Sequence, residues 1–325
     1  MRGKAQNSIV SSQMETKLLV RICTMYYDEG LTQIEISSML GISRPQISRL
    51  LDTAKKRGIV RVTIENPYSE EQKCEKELVR LFGIQRATVI DAKLPGKESF
   101  EETLGLEVTD ILRGLLTKDS VLGAASGTTI STVSENVGGM TIPGLRVIPL
   151  IGGGSADNSK WQANTVVRNL AERFGGTYFQ LLAPSFVRNP QIREAFIQES
   201  VNSGVMGLMD ETTVALVGIG RLSGDETIVH TGLMDEESID ELMSVGAVAN
   251  ICGTFIGADG MPVCFSGENR MIGISTEAFH RIEHVVAVAY GEKKINAIMA
   301  ALKGKWMHTL VTDLDTAKAI IKNAG

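Results

Sequence analysis

Between residues 31 and 57 the apolar positions follow a helical repeat: Ile47, Leu50, Leu51 and Ala54 fall at i, i+3, i+4 and i+7. The opposite side carries Arg44, Gln46, Ser48, Arg49, Asp52, Thr53, Lys55 and Lys56. The boundaries are equally legible. Thr32 with Glu35, and Ser43 with Gln46, have the spacing of capping boxes, in which each side chain satisfies an amide that the helix start leaves open. Gly41 closes the first helix through the left-handed conformation that glycine adopts cheaply, and Pro45 sits in a first turn where no N–H is needed. Upstream, Met14 to Glu29 place Leu18, Ile22, Met25 and Tyr26 on one face of a further helix, while residues 1–13 are polar. Downstream, Gly58 to Ile64 (GIVRVTI) reads as a turn and a short strand, the wing of a winged helix-turn-helix.

Beyond Asn66, Pro67 and Tyr68, which mark a linker, the pattern changes. A charged helix at Ser69 to Phe82 leads to a strand at Ala87 to Asp91. Helices are then predicted at Phe100 to Leu116, Thr129 to Val137, Ala163 to Phe174, Pro190 to Met209, Lys293 to Leu302 and Leu314 to Ile321. Strands are predicted at Val121 to Ala125, Arg146 to Ile151, Tyr178 to Leu182, Thr213 to Ile219, Val285 to Ala289 and His308 to Thr312. Such alternation predicts an α/β fold, a mostly parallel, doubly wound Rossmann-like sheet with helices on both faces. The chain is thus expected to comprise a helix-turn-helix domain over residues 1–65 and a second domain over residues 66–325.

Charge sharpens the first assignment. Residues 1–64 hold ten Lys or Arg against five Asp or Glu, a balance of +5, whereas the remainder holds 23 against 33, a balance of −10. With −5 overall the molecule is no general polyanion binder, so contact with double-stranded DNA is local and sequence-directed. A helix fits the major groove, where Arg takes both acceptors of guanine and Gln pairs with adenine. Arg44, Gln46, Ser48 and Arg49 are the candidate base readers, and Thr32, Ser43, Lys55, Lys56 and Arg57 complete the DNA-binding set. The bland alternative is a surface helix pair in any bundle, which the basic charge disfavours.

In the second domain the glycine-rich loops after the strands carry the chemistry: Ser126-Gly127-Thr128-Thr129, Gly152-Gly153-Gly154-Ser155, Gly218-Ile219-Gly220, and Gly291-Glu292-Lys293-Lys294. Parallel sheets bind ligands beyond the carboxyl ends of their strands, and glycines, bare amides, hydroxyls and a cation together suit a phosphorylated small molecule. Singly, each such loop is ordinary strand-to-helix punctuation. Cys23, Cys74, Cys252 and Cys264 lack metal-ligand spacing, no metal or cofactor is expected, and His280 with His284 lacks a third ligand. GIGRLSG (Gly218 to Gly224) fails the dinucleotide spacing. No apolar run reaches a membrane span and no signal-peptide core is present, so a reducing cytoplasm is expected.

Several segments in order, LTQIEISSMLGISRPQISRLLDTAKKRGIV, IPLIGGG, ALVGIG, GADG, MIGIS, VAYGEKKINAIMAALKG and TLVTD, resemble the SorC family of bacterial sugar-responsive transcriptional regulators along nearly the whole chain. The resemblance implies a helix-turn-helix joined to a sugar-binding domain related to glucosamine-6-phosphate deaminase, assembled as a homo-oligomer (dimer or tetramer) whose operator affinity changes with a phosphorylated sugar or polyol. It implies that the Ser126 to Thr129 loop, Gly152 and Gly153 belong to the effector pocket and that Lys294, not its exposed neighbour Lys293, meets the phosphate. Two departures stand out. Members that hold an aldehyde sugar covalently use a lysine where this chain has Ile151, and members often carry an acid where it has Gly257; Asp259 or Asn269 is the candidate substitute. The runner-up, a sugar-phosphate isomerase or deaminase with an appended DNA-binding domain, would need Asp259 or His308 as its acid–base group.

Overall fold

The computed structural model describes residues 14–60, 69–93, 99–154, 161–222 and 234–325. The chain divides into two compact units, Met1–Pro67 and Tyr68–Gly325.

In the first unit a helix over residues 14–23 (α1) runs into a π-helical turn, Thr24–Asp28, and is followed by α2 (Gln33–Leu40) and α3 (Arg44–Lys56). Both capping residues do as their spacing predicts. Glu35 donates its amide to the Thr32 hydroxyl at 3.3 Å and accepts from the Thr32 amide at 2.8 Å, and Gly41 ends α2 at φ 65°. Leu19, Ile22, Met25, Ile36, Ile47, Leu51 and Ala54 form the core, with Ile59 and Val60 packed on it after the turn at Gly58. Residues 61–64 of the expected wing and the linker Asn66 to Tyr68 lie outside the described residues.

The second unit is built on a seven-stranded parallel sheet. Its strands are β1 (Arg86–Ile90), β2 (Val121–Ala124), β3 (Arg146–Pro149), β4 (Thr177–Tyr178), β5 (Val214–Gly218), β9 (His284–Val288) and β10 (Thr309–Asp313), in the order β1-β10-β9-β5-β2-β3-β4. Between β5 and β9 the chain adds a three-stranded antiparallel sheet, β6 (Gly220–Arg221), β7 (Ala247–Ile251) and β8 (Thr254–Gly257), which the sequence pattern does not announce.

Helices cover both faces because successive strand residues point oppositely. On one face α5 (Phe100–Leu115), α6 (Thr128–Asn136) and α7 (Ala163–Phe174) bury Leu104, Ile130 and Leu170 with Leu122, Leu216 and Val286. On the other, α4 (Ser69–Phe82), α9 (Ser200–Asp210), α12 (Ile295–Lys303) and α13 (Leu314–Ala324) bury Leu78, Val205, Ile298 and Ile320 with Ala215, Val217 and Leu310. Three further helices, α8 (Pro190–Gln198), α10 (Glu236–Ser244) and α11 (Thr276–His280), complete the set among the described residues.

Two expected elements depart most from their predicted extent, each for a visible reason. The helix over Pro190 to Met209 is broken at Glu199, whose ψ of 132° is extended. The strand over Tyr178 to Leu182 stops at Tyr178 because side chains replace its ladder. The Asn164 carboxamide bonds both the amide and the carbonyl of Leu181 at 3.1 Å, and Asn202 accepts from the Leu182 amide at 2.9 Å. At the opposite edge, α4 shields β1: Glu75 accepts from the Val89 amide at 3.0 Å and Glu71 from the Asp91 amide at 2.7 Å. An open strand edge would otherwise invite pairing with another chain.

His308, just before β10, locks three strands at their amino ends. Its Nδ1 accepts from the Val285 amide at 3.0 Å, its own amide donates to the Val285 carbonyl at 2.9 Å, and its carbonyl accepts from Gln85 and Arg86. Burial, and secondarily the nearby His284, push its pKa below the ordinary 6.5. The unfolded chain therefore binds a proton here that the folded chain refuses, so this contribution is complete above about pH 7 and is lost as pH falls through 6.5 toward the lowered value. A lower unfolding midpoint at pH 5.5 than at pH 7.5 is expected, and His308→Asn, which keeps an acceptor but cannot titrate, should reduce that difference.

Candidate effector-binding and DNA-binding sites

In the sheet order the chain leaves β2 toward β3 and β4 and returns on its other side as β5, so the crevice between β2 and β5 is the topological switch point. A cavity of about 140 Å³ lies there. Its lining includes the loop after β2 (Ala125 to Thr129), the loop after β5 (Gly218 to Gly220), Ile151 at the end of β3, and Lys294. Three of the four glycine-rich loops singled out in the sequence thus line this crevice, together with Ile151, Asn250 and Cys252.

Each polar group has an identifiable cause. Gly127 takes φ 117° and starts α6, so the amides of Thr128 to Ile130 have no helical acceptor, and these residues line the cavity with Ser126. Lys294 closes a 3₁₀ turn, Glu292–Lys294, which begins at Gly291 with φ 100°. The Gly291 amide is held by Thr316 Oγ1 at 2.8 Å and Asp313 Oδ2 at 3.1 Å, fixing the turn to the start of α13. The half-buried Lys294 ammonium lies 3.4 Å from Thr129 Oγ1, while Lys293 is exposed. A helix start, three hydroxyl-bearing residues and a lysine thus line one crevice, the residue types an anion site uses.

The remaining predicted effector residues have other positions. The amides of Gly152 and Gly153 donate to the carbonyls of Ile272 and Ala183 at 2.9 and 2.8 Å, and neither residue borders the cavity. A Cβ on Gly152 would lie 2.4 Å from the Pro184 carbonyl oxygen, so this glycine serves close packing. Gly154 is exposed. Asp259 is exposed and accepts from the Met261 amide at 3.0 Å within its own turn, and the exposed Asn269 lies in a 3₁₀ turn, Glu268–Arg270; neither borders the cavity. His308, at the amino ends of the strands, does not border it either.

Asn250 and Cys252, which sequence reasoning misses, do line it. Asn250 stands on β7 opposite Gly220, and its Nδ2 is buried without a hydrogen-bond partner among the described residues. A polar residue inside the otherwise apolar AVANI run was the available signal, since a buried amide without a partner is costly.

In the first unit, Arg44, Gln46, Arg49, Lys55 and Lys56 of α3 are exposed and Ser48 is half-buried. Gln46 is partly committed: its Oε1 accepts from the Ser43 hydroxyl at 2.9 Å and the Ser43 amide at 3.4 Å. Arg57 pairs with Glu15 at 3.0 Å, and Thr32 is engaged with Glu35, whose carboxyl these hydrogen bonds hold below the usual range. No helix among the described residues is long and apolar enough to cross a membrane.

The fold and the crevice define a ligand-sensing α/β domain joined to a helix-turn-helix. Comparison with known proteins agrees. Residues 66–322 match the family model of a sugar-binding domain. The chain is 28% identical over 311 residues to the sorbitol operon regulator of Klebsiella pneumoniae (95% of this chain, 98% of that one), and 32% identical to the transcriptional regulator LsrR of Escherichia coli (98% and 99%). The deoxyribonucleoside regulator of Bacillus subtilis is 25% identical (94% and 98%). The crystal structure of the full-length sorbitol operon regulator SorC from Klebsiella pneumoniae superposes with a TM-score of 0.72 at 27% identity, covering 94% of this chain and 98% of that one. The chain belongs to the SorC family of sugar-binding transcriptional regulators, and it is a sugar-responsive regulator of transcription.

The glycines separate structural from ligand-facing roles. Gly152→Ala forces a Cβ onto rigid backbone and should cost roughly 1–3 kcal/mol, seen as a lower unfolding midpoint without any ligand. Gly218→Ala meets Ile130 at 3.5 Å and the Val288 carbonyl oxygen at 4.0 Å, ordinary contacts, and its midpoint should stay near that of the wild type.

Proposed function

We propose that the cavity between β2 and β5 binds a phosphorylated sugar or polyol and that this binding changes the affinity of α3 for operator DNA. The observation that carries the reading is the convergence of the α6 start, the Thr128 and Thr129 hydroxyls and Lys294 on one small crevice. A dianionic phosphate has its charge met there by oriented N–H groups and one ammonium. Relatives named for the sorbitol operon and for deoxyribonucleosides support a carbohydrate-derived effector.

The protein acts in the cytoplasm as a homo-oligomer, a dimer or tetramer, on an inverted-repeat operator whose half-sites follow the helical turn. Its role is coupling and not turnover. The two acid–base candidates, Asp259 and His308, are both occupied by backbone amides away from the cavity, which argues against an isomerase or deaminase. A coupling of ~1–3 kcal/mol suffices to change operator occupancy several-fold to about a hundredfold.

Thermal-shift screening of sugar phosphates and polyol phosphates is the direct test. A ligand at a hundred times its Kd should stabilise by about 2.7 kcal/mol. Lys294→Ala should lose most of that shift while folding normally; an undiminished shift would place the phosphate elsewhere. On DNA, Arg49→Ala should cost roughly 1–3 kcal/mol at one base position, whereas Lys56→Ala should weaken specific and random duplexes alike and flatten the salt dependence. Equal losses on both duplexes for Arg49→Ala would remove it from the base-reading set.

A further inference from the structure

Beside the effector cavity lies a second one of about 190 Å³. The two share Ile151 and Cys252 and no other lining residue among the described ones. The first lining holds the polar Ser126, Thr128, Asn250 and Lys294; the second mixes Arg193, Thr254, Ser275, Thr276 and Glu277 with Phe255, Val263, Phe265, Met271 and Ile272. The shared pair, Ile151 and Cys252, is the candidate partition between the two.

Both partition residues are held by their backbones. Ile151 follows β3 and bridges to Gly273 in an antiparallel contact. Cys252 and Gly253 form the two-residue turn joining β7 to β8, with φ of 49° and 89°, where Asn, Asp or Gly is usual. A non-glycine residue there is strained. The chain nevertheless places a thiol at this point and buries it, at 8% exposure. Burial raises its pKa to about 12, so the thiol stays neutral and presents only bulk. Gly253 leaves the space Ile151 needs: a Cβ there would lie 3.3 Å from the Ile151 Cδ1 atom.

We propose that Ile151 and Cys252 set the length of effector the chain accepts, by closing the phosphate-binding chamber against the one behind it. This inference rests on the reading of the first cavity as the effector site. A partition with no strong hydrogen-bonding group contributes by steric exclusion. Either chamber alone is smaller than the roughly 300–1,000 Å³ common for small-molecule sites, and the two joined reach the lower end of that range. The wild-type chamber therefore takes a short phosphorylated chain whose carbon end abuts Ile151, and excludes longer ones.

The test measures the Kd of the full-length protein by calorimetry for glycerol 3-phosphate, erythrose 4-phosphate, ribose 5-phosphate and glucose 6-phosphate. Wild type should prefer the shorter probes. Ile151→Ala should move the ratio of six-carbon to three-carbon affinity at least tenfold toward the longer probe. Cys252→Gly should move it in the same direction while relieving the left-handed backbone, so the experiment survives if the isoleucine variant folds poorly. Lys294→Ala should abolish binding in every background. An unchanged ratio in both folded variants, or a wild type that binds glucose 6-phosphate as tightly as glycerol 3-phosphate, overturns the partition while the effector site stands. If none of the probes binds wild type, the effector reading falls, and the partition with it.

Discussion

A parallel sheet covered by helices on both faces can place polar chemistry only at the ends of its strands, and the second unit of this regulator follows from that constraint. Leu122 and Leu216 point into one apolar layer, while Val121, Ala215 and Val217 point into the other. No charge could be carried mid-strand without a large desolvation cost. The polar groups accordingly gather where β2 and β5 end and the chain direction diverges, and the cavity exists because neighbouring loops turn away from each other there.

Hydrogen-bond accounting then decides which of the glycine loops can meet a ligand. Every buried amide needs an acceptor, so a loop whose amides serve its neighbours has none to offer. The Gly152-Gly153 pair is in that position: its amides tie β3 to the segments around Ala183 and Ile272. The loop at Gly127 differs because it opens a helix, whose first amides have no acceptor within the helix itself. Similar sequence texture, glycine after a strand, thus yields a packing joint in one case and an open helix start beside the cavity in the other.

The same accounting explains the edges. Two glutamates of α4 take the outward amides of β1, and two asparagines take the backbone groups beyond β4, so the sheet ends within its own unit. In the first unit Gln46 shows the reverse competition. The carboxamide that sequence logic offers to a base also caps its own helix, whereas Arg44 and Arg49 are exposed on that surface and make no side-chain hydrogen bond among the described residues.

What depends on local periodicity and capping was legible in the sequence. The helices of the first unit and their caps, the parallel alternation of the second, and the loops around Ser126 to Thr129, Gly218 and Lys294 follow from residue spacing, because a helix or a buried strand imprints its own period on neighbouring residues. Family resemblance supplied the expectation that Lys294 meets the phosphate. Only the tertiary structure decided the rest. The β6-β7-β8 sheet, the place of Asn250 and the lining that Ile151 and Cys252 give to both cavities are made by contacts across long stretches of chain, and the amides of Gly152 and Gly153 are claimed by distant carbonyls. A sequence encodes such pairings in the shape of the whole core, which no single window of residues contains.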